Sequence, residues 1–155
     1  MRETCLPGNK LNPQLLLTGD QGTLKSPMKY YPPNLYCRWS IKVPGEKPVE
    51  LTFKRIDTAR SCIDSDAKHI CLSYECEDYV EVQWVERNYT MVRKKYCGYL
   101  YKSNKSKDKY HKLPDAIIST NGSLTVIFSS NAKATGIKHS GFEATFKVVD
   151  PSNGR

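Results

Sequence analysis

The sequence predicts an all-β protein: two antiparallel sheets packed face to face into a disulfide-stabilised β-sandwich. Three observations carry that prediction. Apolar and polar residues alternate with period two in one segment after another. Gly, Pro, Asn and Asp fill the gaps between those segments. No stretch holds a helical apolar stripe for about three turns.

The elements follow in chain order. Residues 26–41 crowd three prolines and three tyrosines against Cys37 and Trp39. Proline fixes φ and has no N–H to donate, so this run should end the preceding strand and steer the chain to the other sheet. The alternation then begins. Cys37, Trp39, Ile41 and Val43 share one face, and Arg38, Ser40 and Lys42 share the other. Val49, Leu51 and Phe53 oppose Glu50, Thr52 and Lys54. Val80, Val82 and Trp84 oppose Glu81 and Gln83. Leu124, Val126 and Phe128 form a fourth set, and Phe142, Ala144, Phe146 and Val148 a fifth. Successive strand side chains point to opposite faces, so each segment has one buried face and one wetter face. Trp39 is expected between the sheets beside a disulfide, where a large aromatic anchors the core.

The chain has 155 residues, a length that suits one domain, 1–155. No apolar run approaches the roughly 20 residues of a membrane-spanning helix. After Met1 comes Arg-Glu-Thr-Cys rather than an apolar leader, as expected for a domain excised from a larger chain. Six cysteines stand at 5, 37, 62, 71, 76 and 97, with no C-x-x-C pair and few histidines to share a zinc ion. An even, widely spaced set favours three disulfides and an oxidising compartment, although spacing alone leaves the pairing open. Three N-x-[ST] sequons, at Asn88, Asn104 and Asn121, point to the same secreted or ectodomain setting. There is no G-x-S-x-G, no H-E-x-x-H and no nucleic-acid module. His69, His111 and His139 lie in polar stretches and read as surface histidines.

An ordered series of short motifs then resembles a CUB domain. It comprises Cys5, the run 22–27 (GTLKSP), Tyr31-Pro32, Asn34, 37–41 (CRWSI) and 49–53 (VELTF). It continues through 78–82 (DYVEV), Cys97-Gly98, Ile118-Ser119, 124–130 (LTVIFSS) and 141–146 (GFEATF). The resemblance covers residues 5 to 148. It implies a sandwich of about ten strands, extracellular and used for recognition rather than catalysis. It also implies the pairs Cys5–Cys37 and Cys76–Cys97, which leaves Cys62 and Cys71 to close a local loop. The segment at about 60–77 is longer than its family equivalent and reads as an inserted loop stapled by that bridge. Cys76 stands one residue nearer Asp78 than the family spacing.

Many such domains bind calcium at one end through three acids. Asp78 matches one of these positions, while the other two fall on Ala59 and Asn131. Asp57 lies nearby, and the segment 60–77 adds Asp64, Asp66, Glu75 and Glu77. Asp57, Asp78 and Asn131 are thus the calcium candidates. Calcium wants several hard oxygens, so the expectation is no cofactor, these acids being solvated loop charge.

Charge is sorted along the chain. Residues 87–112 carry nine Lys or Arg and one Asp; residues 57–81 carry seven acids and two bases. Such asymmetry points to an acidic partner for the basic run. Its densest part holds Lys102, Lys105, Lys107, Lys109 and Lys112, candidates for a heparin-like glycosaminoglycan. The expected function is a non-catalytic extracellular protein-recognition domain, part of a larger secreted or membrane-anchored protein such as a protease, receptor or co-receptor. The alternative is a free-standing secreted glycan-binding protein. Neither nucleic acid nor direct membrane insertion is expected.

Overall fold

The alternating segments become strands because each can bury one face against a facing sheet. The computed structural model describes residues 15–27, 29–101, 112–131 and 138–149. Within them run β1 (Leu15–Leu17), β2 (Gln21–Lys25), β3 (Tyr36–Lys42), β4 (Val49–Asp57), β5 (Arg60–Ser65) and β6 (Cys71–Cys76). There follow β7 (Tyr79–Val85), β8 (Met91–Tyr96), β9 (Tyr99–Leu100), β10 (Ile117–Ser119), β11 (Ser123–Ser129) and β12 (Gly141–Val148).

One sheet has the order β1-β3-β11-β7-β8, and the second has the order β10-β4-β12-β2. β9 joins the second sheet by pairing with the far end of β4, at Ile56 and Asp57. The proline-rich run does carry the chain from β2 in the second sheet to β3 in the first. Among the described strands, one pair departs from the antiparallel rule: β1 lies parallel to β3, Leu15 opposite Trp39. Between them the chain crosses to the other sheet and back, and two reversals restore its original direction.

The core forms where the two inner faces meet. Trp39, Ile41, Val80, Val82, Leu124, Val126 and Phe128 face Leu51, Phe53, Phe142, Ala144 and Phe146 in one cluster. Phe142 is its hub. Its ring centroid lies 5.4 Å from Trp39, edge to face, and 5.6 Å from Phe128. Such aromatic pairs add about 0.5–1.5 kcal/mol to their area burial. Gly141, just before the hub, has φ +84°, and a Cβ there would collide with the Ser26 hydroxyl. That hydroxyl accepts from the Phe142 amide at 3.1 Å, so the missing side chain leaves room for the contact that docks β12.

The segment at about 60–77 is not an irregular loop. β5 and β6 pair with each other as a separate two-stranded sheet. Cys62 and Cys71 are bonded across it, Cα–Cα 5.8 Å. Cys76 is bonded to Cys97, Cα–Cα 5.6 Å, which fastens the hairpin to the stretch after β8. Cys37 is fully buried and disulfide-bonded; the pairing expected for it, with Cys5, lies outside the described residues. Part of the basic run lies in a strand. Its Met91–Tyr96 portion is edge strand β8, and charged side chains on an edge discourage pairing with other chains.

Trp39→Ala is expected to destabilise the protein by about 3–5 kcal/mol, the cost of deleting a fully buried aromatic. Equilibrium denaturant unfolding measures it. A midpoint unchanged from the parent would mean that Trp39 does not bridge the sheets.

Candidate functional site

One end of the sandwich gathers the ends of β4 and β11, the starts of β7 and β12, and the proline-rich run. Pro32 and the residues after it are sewn to the end of β11. The Ser130 hydroxyl donates to the Pro32 carbonyl at 2.8 Å and accepts from the Leu35 amide at 2.9 Å. The Asn34 amide donates to the Asn131 carbonyl at 2.7 Å. These bonds hold Tyr31 over the core, its ring edge-on to Phe128 at 4.9 Å.

The Tyr31 phenol organises this end. It donates to Asp78 Oδ2 at 2.6 Å and accepts from the Ala59 amide at 3.1 Å. Asp78 is buried, and its Oδ1 accepts from the Asn131 amide at 2.7 Å. A buried carboxylate needs such donors, because an unpaired one would be costly. Burial first, and then the bond to Asp78, push the Tyr31 hydroxyl well above the ordinary tyrosine range. It therefore stays a donor. Beside it, Asp57 Oδ1 lies 2.8 Å from His139 Nδ1, while Oδ2 accepts from the Ser140 amide at 3.0 Å and the Ser140 hydroxyl at 3.2 Å.

Asp57, Asp78 and Asn131 are thus brought to one end, but not as solvated charge. Each carboxylate is occupied by protein donors. Ala59 offers no side-chain oxygen, and Asn131 replaces an acid with a neutral amide. Among the described residues no group of three or more His, Cys, Asp or Glu is placed to hold a metal. The donor set does not fit calcium, which wants several free hard oxygens. His139 is half-buried in this network rather than a surface histidine. Its partnership could not be read from sequence, where 82 residues separate it from Asp57. Tyr31 was within the resembling motif, yet nothing in the motif revealed its hydroxyl as the hub.

The hairpin projects beside this end. The Thr58 amide donates to the Gly98 carbonyl at 3.0 Å, and the Gly98 amide donates to the Thr58 hydroxyl at 3.0 Å. Gly98 has φ +93°, and a Cβ there would lie 2.6 Å from the Arg60 guanidinium. Arg60 in turn lies over the Tyr74 ring, 3.6 Å from its centroid. At the tip, Asp66 Oδ1 accepts from the amides of Lys68 and Ile70 at 2.8 and 3.0 Å, fixing the turn. Glu77 accepts from the Ser61 hydroxyl at 2.6 Å. The acids Asp64 and Glu75 remain exposed. So do Ile63, Ile70 and Leu72, at 62%, 58% and 48%.

Asn88 and Asn121 are exposed, in turns before β8 and before β11. Each also shapes its turn: Asn88 accepts from the Thr90 amide at 3.1 Å, and Asn121 from the Ser123 amide at 3.0 Å. Asn104, Lys102, Lys105, Lys107, Lys109 and His111 lie outside the described residues. Lys112 is exposed, next to Leu113, whose amide donates to the Tyr101 carbonyl at 3.0 Å.

Comparison with known proteins gives one consistent answer. The family model described as the CUB domain matches residues 14–146. Human procollagen C-endopeptidase enhancer 2 is 30% identical over 139 residues, covering 88% of this chain and 27% of that protein. The chain therefore spans about a quarter of that relative's length. Among solved structures, the CUB1-EGF-CUB2 domains of rat MASP-1 match with a TM-score of 0.61 at 22% identity, over 89% of this chain and 43% of that one. The MASP-1 CUB2 domain bound to Ca2+ matches with a TM-score of 0.55 at 20% identity, over 86% and 97%. At these identities the structures establish the fold.

Two outcomes are expected from this geometry. The melting temperature should be the same in millimolar calcium and in chelator; a clear rise with calcium would show that the acids rearrange to bind it. Tyr31→Phe should cost about 1–3 kcal/mol at neutral pH, since Asp78 and the Ala59 amide each lose a partner. An unfolded tyrosine ionises near pH ~10, whereas folded Tyr31 keeps its proton to higher pH. Its contribution is therefore complete below about pH 10 and declines above it. The stability gap between parent and variant should narrow there in denaturant titrations at stepped pH.

Proposed function

Because this chain belongs to the CUB domain family, we propose that it is a non-catalytic recognition module of an extracellular protein, with another protein as its partner. The observation that carries the reading is the hairpin β5–β6. It stands apart from both main sheets, is closed by its own disulfide, and exposes Ile63, Ile70 and Leu72 among acids. Ordering a projecting segment before binding lowers the entropy lost on association. Exposed aliphatic side chains with neighbouring carboxylates suit a partner surface that is apolar and basic. The sandwich supplies the rigid base, and its loops supply contact residues.

The six cysteines and three sequons support a secreted or ectodomain setting. The match to a quarter of a longer relative supports a place within a larger protein, such as a protease, receptor or co-receptor. That relative is named as an enhancer of procollagen C-endopeptidase, which is consistent with a module that acts through another protein. Its Tyr31 network supplies no nucleophile and base aimed at a common substrate position, so recognition accounts for the geometry better than catalysis does.

The test is capture from extracellular extract on the oxidised domain, run beside the double variant Ile63→Ser/Ile70→Ser. Both residues are more than half exposed, so stability should change by no more than about 0.5 kcal/mol for each substitution. The variant is expected to lose proteins that the parent retains. Identical retained proteins would remove the hairpin as the contact surface.

A further inference from the structure

Among the described residues, edge strand β8 of the first sheet faces β9 and β10 of the second across a gap. A groove of about 610 Å³ lies there, a volume within the usual range for ligand sites. Its apolar lining comes from both sheets: Trp84 of β7, Tyr96 of β8, Leu100 of β9 and Ile117 of β10. Its polar lining is cationic. Among the described residues, Arg60, Lys94, Lys95 and Lys112 border it, with the acid Asp115.

These cations differ in what they are free to do. Lys94 is on the strand face of Val92 and Tyr96, the face turned toward the groove. Lys95 also borders the groove, but its ammonium lies over Tyr79, 4.4 Å from the ring centroid. Arg60 is positioned at the groove by stacking on Tyr74 and by the bare backbone of Gly98. Lys112 arrives on a different segment, fixed by its pairing with Tyr101. Cations from three parts of the chain therefore converge on one apolar floor.

We propose that this groove is a binding site for a sulfated saccharide unit of a glycosaminoglycan chain. The chemistry uses both halves of the lining. Sulfate oxygens meet Lys94, Lys112 and Arg60, and the C–H face of a sugar ring covers the apolar floor. A purely acidic chain such as polyglutamate would use the charges alone. Lysine acts as a point charge without directional demand, which suits sulfates placed at several positions on a ring. The site shares Arg60 with the base of the hairpin but does not use its exposed Ile63, Ile70 and Leu72.

The experiment measures binding of the oxidised protein to immobilised heparin oligosaccharide at physiological salt, with desulfated oligosaccharide and polyglutamate as soluble competitors. Lys94→Gln/Lys112→Gln should weaken binding about tenfold, the scale expected when two ionic contacts and their counterion release are lost. The control, Lys42→Gln/Lys54→Gln, removes the same charge from exposed strand positions that do not line the groove and should leave the affinity within about twofold. All four sites are exposed, and thermal melts confirm that the variants fold. Desulfated oligosaccharide and polyglutamate should compete poorly. Equal losses in the two variants would reduce the effect to net charge and overturn the site. So would full binding by the groove variant, loss only on replacing Lys102, Lys105, Lys107 and Lys109, or competition by polyglutamate as strong as by heparin.

Discussion

The contact between Trp39 and Phe142 is what the rest of the structure depends on. Neither strand that carries them could remain in place alone. β3 and β12 belong to different sheets, and their facing aromatic rings meet at the centre of the apolar surface each sheet covers. Phe142 also touches Phe128 and Phe53, so the contact spreads into both sheets. This geometry imposes the glycine at 141, because β12 must pass close enough to Ser26 for the hydroxyl to receive its amide. It equally fixes where the ends of β4, β7 and β11 emerge, which sets the polar end of the sandwich.

At that end, hydrogen bonds between distant parts of the chain occupy the carboxylates of Asp57 and Asp78. Three carboxylates drawn together would repel unless an ion neutralised them. Here Ala59 and Asn131 bring no carboxylate, and Asp78 is satisfied by the Tyr31 phenol and the Asn131 backbone amide. Asp57 is satisfied separately by His139 and Ser140. The loops at this end are held by direct bonds between distant parts of the chain. The hairpin is anchored at its base by Thr58, Gly98 and the Cys76–Cys97 bridge.

Much of the fold was legible because burial on one side leaves period two in the sequence. Trp39, Val82, Val126 and Phe146 each lie where the alternation put them. The short or heavily charged strands were not legible. β8 reads as a basic run because only Val92 and Tyr96 turn partly inward, and β9 has two residues, too few to show a period. β5 and β6 have no buried face of their own, so alternation had nothing to record; their order comes from mutual pairing and a disulfide. The parallel placement of β1 depends on two sheet crossings and leaves no local trace.

The sequence by itself determined the all-β class, the inward faces of the main strands, the oxidising setting implied by cysteines and sequons, and the sorting of charge along the chain. Those are properties of nearest neighbours and of composition, and they need no knowledge of what lies across the core. Only the tertiary structure decided that Asp57 belongs to His139 and Asp78 to Tyr31, and that Arg60, Lys94 and Lys112 border one groove. These groups lie tens of residues apart in the chain. Their meeting is set by how the sheets stack and which edges stay open, and the energy of each contact exists only once that stacking has excluded water from between them.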